Sequence, residues 1–251
     1  MKFSPANVKI KALASVPAIA RFLPKGKKVY SFDILSGHSC PFANECLSKV
    51  VETNEGFRIQ DGPNTEFRCF SASQEATFTN VRKLRSANFT ELKGLTSEEM
   101  AAKLSEAMPK NLGVCRVHVA GDFFNQNYFN AWLAIALANP DRLFYAYTKS
   151  LPYWVNMIGM IPENFVLTAS RGGRKDDMIE TYNLRSVKVV LHPSETVLEI
   201  DHTDEHAANP ESFARNQEFA LLIHGIQPKG SKAAKAIRTL KSENVEFSYS
   251  V

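Results

Sequence analysis

The chain has 251 residues, a hydrophobic content of 44%, a charged content of 22% and a formal net charge of +4. This length and apolar content exclude a disordered chain and favour a large folded domain. A membrane span is not expected either, because no stretch has the roughly 18 uninterrupted apolar residues that a membrane helix needs.

The N-terminal part of the chain contains few regular elements. A basic segment over residues 1–27 precedes a short strand at 27–35, which leads into an extended cysteine-containing loop over 36–75. The residues at 61–64, DGPN, are turn formers, so a turn or hairpin is expected inside this loop.

Two helices are predicted after the loop, over 74–92 and 97–108. Thr96 or Ser97 suits the N-cap of the second helix, because carboxylates follow in its first turn. From there the pattern becomes regular, with strands and helices in alternation.

The predicted strands of the second half cover 114–120, 142–148, 165–170, 187–193, 219–225 and 245–250. The predicted helices between them cover 125–139, 151–160, 175–182 and 231–242. Such alternation indicates βαβ units and a parallel sheet. We therefore expect a single α/β domain over 1–251 that forms a complete or partial (β/α) TIM-like barrel, with an open doubly wound sheet as the alternative.

Polar side chains follow several of these strands. In parallel α/β folds the functional groups lie at the carboxyl ends of the strands, and Asp122, Lys149 and Arg171 all occupy such positions. Lys149 and Arg171 would make this edge cationic, which favours a small anionic ligand. The alternative is that each residue only caps a helix or meets water.

The four cysteines argue against disulfides, because a large cytoplasmic domain keeps its thiols reduced. In the strand at 114–120, alternation places Cys115 on the face that packs against the covering helices. The same alternation places Arg116 and His118 on the opposite face, toward a barrel interior. Cys115 is therefore expected to be a buried core residue.

Cys40, Cys46 and Cys69 then remain as three thiolates on one loop. A structural zinc ion normally takes four protein ligands, whereas iron–sulfur clusters are held by thiolates and can leave one iron without a protein ligand. The spacing therefore favours a cluster, with zinc or three unliganded thiols as alternatives.

The stretch EIDHTDEHAANPE concentrates ligand-type side chains near the C-terminal third. His202 and His206, with Asp201, Asp204 and Glu205, could bind a second metal or transfer protons. The alternative is a solvated acidic loop.

Several segments resemble a family of bacteriophage and prophage proteins, the gene product eighty-eight family. They are SFDILSGHSCPFANECLSK, EFRCFSASQEA, RVHVAGDFFNQNYFNAWLAIA, FYAYTKSLPYW, IDHTDEHAA and FALLIHGIQPKGS, and together they extend over about residues 28–235. The resemblance implies a phage-encoded protein in the host cytoplasm, with a TIM-barrel-like fold and an iron–sulfur cluster. It also implies that Cys40, Cys46 and Cys69, which match the recurring motifs of the family, are the ligands.

The layout also resembles that of radical S-adenosylmethionine enzymes. These enzymes place a three-cysteine loop after the first barrel strand and a glycine-acid motif after the second, as Gly121 and Asp122 stand here. Their compact C-x3-C-x2-C spacing is absent, since Cys69 lies far downstream. The likeness is therefore one of layout, and fold-level analogy does not establish a reaction.

The residues and the family resemblance together thus predict a phage-encoded 4Fe-4S cluster protein with redox or radical chemistry on a small anionic ligand. Asp122 would be an acid or a non-thiolate ligand, Lys149 and Arg171 would hold the anion, and His202 or His206 would handle protons. Electron transfer without catalysis stays open. The alternative is a non-enzymatic module, stapled by zinc or a cluster, that binds a host protein or nucleic acid.

Overall fold

The structure is a computed structural model that describes residues 1–211 and 218–246. Across these two ranges, no helix is both long and apolar enough to cross a membrane. Most of the strand predicted at 245–250 lies outside the described residues.

The strands are short and the helices vary in length. The strands are β1 (Ser4–Pro5), β2 (Lys28–Phe32), β3 (Ser48–Thr53), β4 (Gly56–Asp61), β5 (Leu112–Val117), β6 (Leu143–Thr148), β7 (Phe165–Ser170), β8 (Ser186–Val190) and β9 (Glu218–Leu222). The helices are α1 (Val8–Lys11), α2 (Pro17–Ala20), α3 (Phe70–Thr77), α4 (Thr79–Leu92), α5 (Ser97–Ala107), α6 (Gln126–Ala138), α7 (Leu151–Val155), α8 (Asp177–Thr181), α9 (Glu205–Ala208) and α10 (Lys232–Ser242).

A mostly parallel sheet of seven strands organises the chain, in the order β1-β2-β5-β6-β7-β8-β9. Within this sheet each strand from β2 onward is parallel to its neighbour, and β1 pairs antiparallel with β2. β3 and β4 form a separate antiparallel pair. In the part of the chain that the structure describes, β1 and β9 do not pair, so the complete barrel is not formed. The strand order never reverses, which also separates this sheet from a doubly wound one.

Pairing along the sheet is uneven. β6 and β7 pair through five residues, whereas β7 and β8 pair only at Ala169 with Ser186 and at Ser170 with Val187. The first half of β7 therefore has no partner on the β8 side among the described residues.

The two faces of the sheet carry separate cores. On one face Cys115, Phe144 and Leu167 pack with residues of α5 and α6, including the buried Trp132. On the other face Val114, Tyr145 and Val166 pack with the N-terminal segment and with α9. The helices α6, α7 and α8, which connect β5 to β8, thus cover one face, and α9 covers the other with the N-terminal segment.

Cys115 lies where strand alternation predicts it, fully buried on the helix face. His118 is buried in the core, but on the face opposite to the predicted one. β5 ends at Val117, so the alternation does not reach His118, whose ring packs against Phe123 and Tyr128 on the helix side.

In the cysteine loop the predicted turn at 61–64 is present, since the Thr65 amide donates to the Gly62 carbonyl at 3.2 Å, but the hairpin lies elsewhere. The hairpin is formed by β3 and β4, with the turn at Asn54 and Glu55, because Ser48 to Thr53 form an unpredicted strand. The predicted helix at 74–92 is two helices, α3 and α4, which meet at the extended residue Phe78. The predicted capping box of α5 is present, with Thr96 as its N-cap.

Candidate functional site

The cysteine loop begins at the carboxyl edge of the parallel sheet. Just before the loop, the Ile34 amide donates to the Ala120 carbonyl at 3.0 Å. The Asp33 carboxylate accepts from the Val119 amide at 2.7 Å. These bonds join the chain after β2 to the chain after β5, so both lie at the same edge of the sheet, as the sequence predicts.

A glycine allows the two segments to approach closely. Gly121 has a φ of +89°, and a Cβ at this position would lie 2.4 Å from Cγ1 of Ile34 and 2.7 Å from Oγ of Ser39. No other residue satisfies both the backbone and the space. The Ser39 hydroxyl accepts from the Asp122 amide at 3.3 Å, which places Asp122 beside Cys40.

The hairpin returns the chain to its starting point. Cys46 lies two residues before β3, and Ser48 pairs with Asp61 at the open end of the hairpin. The Cys69 amide donates to Oγ of Ser48 at 3.4 Å, and that hydroxyl donates to Asp61 at 2.8 Å. A cysteine far along the sequence is thereby brought back toward Cys46.

A buried ion pair fixes the loop to α3. Glu75 is fully buried and lies 3.1 Å from the guanidinium of Arg85. It also accepts from the amide and the hydroxyl of Ser36, at 3.1 and 2.9 Å. Burial is the largest influence on Glu75 and raises its pKa, while Arg85 and Ser36 act in the opposite direction. Since Ser36 opens the loop and α3 follows Cys69, this network holds the two ends of the loop together.

The thiols of Cys40, Cys46 and Cys69 are close enough to act on one another. Burial raises the pKa of Cys40 well above its ordinary value, and the charges of Asp122, Cys69 and Cys46 raise it further. Burial, followed by the charge of Cys46, raises the pKa of Cys69 to about 11. Thiols whose ionised forms repel one another stay protonated unless a cation compensates them.

Backbone amides point at two of these sulfurs. The amides of Ser71 and Ala72, in the first turn of α3, lower the pKa of Cys69, and the amide of Gly37 lowers that of Cys40. Hydrogen bonds to sulfur favour the thiolate and help to set the potential of iron–sulfur centres. The loop therefore supplies both the thiols and donors that suit their ionised form.

Asp122 lies beside the thiols, but both of its carboxylate oxygens accept hydrogen bonds. Oδ1 accepts from the Phe123 amide at 2.7 Å and from the Thr148 hydroxyl at 2.6 Å, and Oδ2 accepts from the Lys149 amide at 2.8 Å. Burial raises its pKa to about 6 in spite of these bonds. Asp122 therefore joins the ends of β5 and β6.

Lys149 is a buried cation whose charge acts on this group. Its side chain is buried, and its Nζ donates to the carbonyl and hydroxyl of Ser170, at 2.8 and 2.9 Å, and to the Arg171 carbonyl. Its charge lowers the pKa of Cys46, against a larger effect of burial that raises it. The ammonium thus ties β6 to β7 and at the same time offsets negative charge at the thiols.

The Arg171 side chain does not join Lys149. Its guanidinium pairs with Glu180 at 2.7 Å and with Glu218 at 2.5 Å, at a partly exposed rim of the sheet. Only its backbone carbonyl belongs to the Lys149 network. The cationic pair expected at this edge is therefore split between the thiol group and the rim.

The acidic loop lies over the other face of the sheet. Asp204 is fully buried and accepts from Arg116 at 2.5 Å, from Tyr145 at 3.0 Å and from Tyr147 at 3.2 Å. Asp201 is buried as well and accepts from the His206 amide at 3.1 Å. These carboxylates fasten the loop to the sheet rather than projecting into solvent.

Neither His202 nor His206 joins the cysteines by a hydrogen bond or ion pair in the ranges that the structure describes. His206 stacks on Phe219, with ring centres 5.4 Å apart, and its Nε2 lies 3.3 Å from Glu199. Nδ1 of His202 is buried and has no hydrogen-bond partner among the described residues. Their predicted role in proton transfer stays a prediction.

Glu45 was not singled out in the sequence, although it directly precedes Cys46. Its amide donates to the Gly172 carbonyl at 3.0 Å, and a Cβ at Gly172 would lie 2.4 Å from Oε2 of Glu45. Burial and then Glu66 raise its pKa, while Lys149 lowers it. An acidic residue beside a candidate ligand is the signal that could have identified it.

No three His, Cys, Asp or Glu side chains within residues 1–211 and 218–246 surround a point where a single metal ion would be held. Cys40, Cys46 and Cys69 are neighbours that influence one another without enclosing one point.

Comparison with known proteins agrees with the resemblance noted from the sequence. The family model described as Gene product 88 matches residues 4–242. The Gene 88 protein of Mycobacterium phage L5 is 30% identical over 114 residues, which are 45% of this chain and 44% of that protein. This chain thus aligns with less than half of the length of that relative, and no solved structure matches it. The match to the family model covers nearly the whole sequence, and the chain belongs to the gene product 88 family.

Proposed function

We propose that this protein binds a 4Fe-4S cluster through Cys40, Cys46 and Cys69 and uses it in redox chemistry at the carboxyl edge of the sheet. The observation that carries the proposal is the mutual effect of the three thiols, since each of Cys46 and Cys69 raises the pKa of Cys40. Three thiols with raised pKa values ionise together only with a cation bound among them.

The arrangement of the thiols fits such a group. Thiolates that hold a cluster bind separate iron atoms, so they need to be neighbours without meeting at one point. The amides directed at Cys40 and Cys69 favour the thiolate form of each ligand. When bound, an iron–sulfur cluster supplies one-electron transfer, with a potential set by net charge, hydrogen bonds and solvent exposure.

The residues around the thiols would shape that chemistry. Lys149 places a positive charge beside Cys46, which stabilises the thiolate and attracts an anionic ligand. Asp122 holds the ends of β5 and β6 in place through three hydrogen bonds, which fixes the wall of the site. The guanidinium of Arg171 would meet an anion only at the rim of the sheet, where this guanidinium already pairs with Glu180 and Glu218.

We also propose that the sheet is a partial (β/α) barrel. Six parallel strands follow one another in chain order, as they do in a TIM barrel, and the cysteine loop stands at the edge where such folds place their sites. As a phage-encoded protein of this kind it would act in the host cytoplasm.

Cysteine variants test the proposal. Cys40→Ser, Cys46→Ser and Cys69→Ser should each lose most of the iron that the wild type binds after anaerobic reconstitution. Cys115→Ser is the matched control, because Cys115 is fully buried on the helix face, and it should keep wild-type iron. Loss of iron in the Cys115 variant with a folded protein would refute the assignment, as would retention in any of the other three.

A second candidate is a structural zinc ion in a nucleic-acid-binding module, and one surface favours it. Phe57 and Phe78 are exposed, and the guanidinium of Arg82 lies 3.6 Å from the centre of the Phe57 ring. Aromatic rings beside a cation suit stacking with unpaired bases. Salt-dependent binding of single-stranded DNA that is lost in Phe57→Ala would support this candidate, and its absence would remove it.

A further inference from the structure

The segment that leaves β9 lies against the end of the cysteine loop. β9 ends at Leu222, and residues 224–227 follow it closely. β9 is the last strand in the row of parallel strands, while the cysteine loop follows β2, which is the first of them. Contacts between this segment and the loop therefore connect the two ends of the row.

Gln227 binds both backbone groups of the residue that precedes Cys69. Its Oε1 accepts from the Arg68 amide at 2.7 Å, and its Nε2 donates to the Arg68 carbonyl at 2.9 Å. The same Nε2 donates to the His224 carbonyl at 3.1 Å. A carboxamide has one acceptor oxygen and two N–H donors, and both kinds of group are used here. Arg68 is thus held as in a strand pair, by a side chain 159 residues further along the chain.

The residue that follows Cys69 is held by the same segment. The ring of His224 packs against the ring of Phe70, with ring centres 4.8 Å apart. Gly225 has a φ of +81°, and a Cβ at this position would lie 2.7 Å from Cβ of Phe70 and 3.1 Å from its Cα. Glycine satisfies both the backbone and the close approach. The backbone is therefore fixed on both sides of Cys69.

A hydrogen bond from α3 completes the contact. The buried Ser73 donates from its hydroxyl to the Ile226 carbonyl at 3.1 Å. Gly225 and Ile226 are themselves exposed, so polar contacts hold this segment more than apolar burial does. Removal of one such contact would therefore leave no cavity in the hydrophobic core.

We infer that Gln227 is a positioning residue that holds the Cys69 thiol beside the Cys46 thiol. Arg68 and Phe70 flank Cys69, and the segment after β9 fixes both of them. The charge of Cys46 raises the pKa of Cys69, so the two thiols lie close together. The inference rests on the proposed function, because the place of the Cys69 thiol matters when the thiols bind one group together.

Phenylarsine oxide tests the inference on the full-length protein after removal of bound metal. Its arsenic joins two neighbouring thiols: two As–S bonds form, the As–O bond breaks, and the oxygen leaves as water with both thiol protons. Cys40→Ser leaves Cys46 and Cys69 as the thiols of the site, since Cys115 is fully buried in the core. In this background Gln227→Met should weaken binding of the arsenical by about tenfold or more, as is typical of residues that orient ligands.

Further variants separate positioning from unfolding. Gln60→Met removes an exposed carboxamide of β4 and should bind like the Cys40→Ser background. Gly225→Ala retains Gln227 but forces the segment away from Phe70, so it should also weaken binding. Circular dichroism verifies that each variant is folded, and Gly225→Ala decides the matter if Gln227→Met does not fold.

The outcomes are distinct from those of the cluster proposal. Unchanged affinity in folded Gln227→Met or in folded Gly225→Ala would overturn the inference. It would also be overturned if the Cys40→Ser background binds the arsenical no more tightly than a protein that lacks Cys46 as well. Iron is assayed separately, so a protein that binds the arsenical in the expected pattern without binding iron would retain the inference and refute the cluster.

Discussion

The amide of Cys69 donates to the hydroxyl of Ser48 at 3.4 Å, and this contact joins the third candidate ligand to the base of the hairpin that follows the second. The Ser48 hydroxyl is held by Asp61, which also pairs with Arg68 at 2.6 Å. The hairpin and the side chains that close it therefore bring Cys46 and Cys69 together, although the two residues are far apart in the sequence.

Replacement of Asp61 tests this tie. Asp61→Asn should weaken iron binding by about tenfold or more, because residues that orient ligands typically contribute this much to metal affinity. Loss of iron to a competing chelator would measure the change. Glu55→Gln is the control, since Glu55 forms an exposed ion pair with Arg58 in the same hairpin. Equal iron retention in both variants would show that the tie does not position Cys69.

Lys149 is expected to raise the reduction potential of the centre. Removal of a positive charge beside a thiolate makes reduction harder, and a change of about 1 kcal/mol corresponds to roughly 40 mV for one electron. Lys149→Gln should therefore lower the potential in a redox titration followed by electron paramagnetic resonance. The exposed Lys175→Gln should leave it unchanged, and a potential equal to the wild type in the Lys149 variant would contradict the assignment.

The buried pair of Glu75 and Arg85 should dominate the stability of the loop. Arg85→Met leaves Glu75 buried without its cation, which typically reduces the free energy of unfolding by about 3–5 kcal/mol. Arg58→Met removes an exposed pair and should cost less than about 1 kcal/mol. Urea denaturation of both variants measures the difference. Similar losses in the two would mean that the buried pair contributes no more than a surface one.

We predict that the buried His118 lowers the free energy of unfolding in acid. Burial, followed by the charge of Arg116, lowers its pKa to about 3, whereas an unfolded histidine titrates near 6.5. Between these values the unfolded state binds a proton that the folded state does not, so stability falls as the pH falls. The free energy of unfolding should decrease by up to about 1.4 kcal/mol per pH unit below about pH 6.

His118→Gln removes this titration and should flatten the dependence between about pH 6 and pH 4. Chemical denaturation of both proteins across this range is the measurement. An equally steep decline in the variant would show that other groups cause the acid sensitivity.

The regular part of the fold could be predicted from the sequence, because alternating apolar strands and helices leave few arrangements open. The position of Cys115 follows from the same alternation. The face of the sheet on which His118 lies could not be predicted, because strand alternation applies only within a strand and β5 ends before His118. The sequence pattern also could not show that the sheet stays open, because the closure of a barrel depends on contacts between the first and last strands.

The three candidate cysteines could be singled out from the sequence, and that they are ligands stays a prediction, whereas the surroundings of these cysteines could not be predicted. Cys40, Cys46 and Cys69 stand out by residue type and by family resemblance. The bonds of Lys149 to β7 and the ion pairs of Arg171 depend on which neighbours the fold supplies.

The most direct test of the central proposal is an assay of iron, zinc and acid-labile sulfide per chain after anaerobic purification, with an electron paramagnetic resonance spectrum before and after dithionite. We predict about four iron and about four sulfide per chain, with a signal that changes on reduction. Stoichiometric zinc without sulfide would contradict the proposal and leave the three cysteines as a structural metal site.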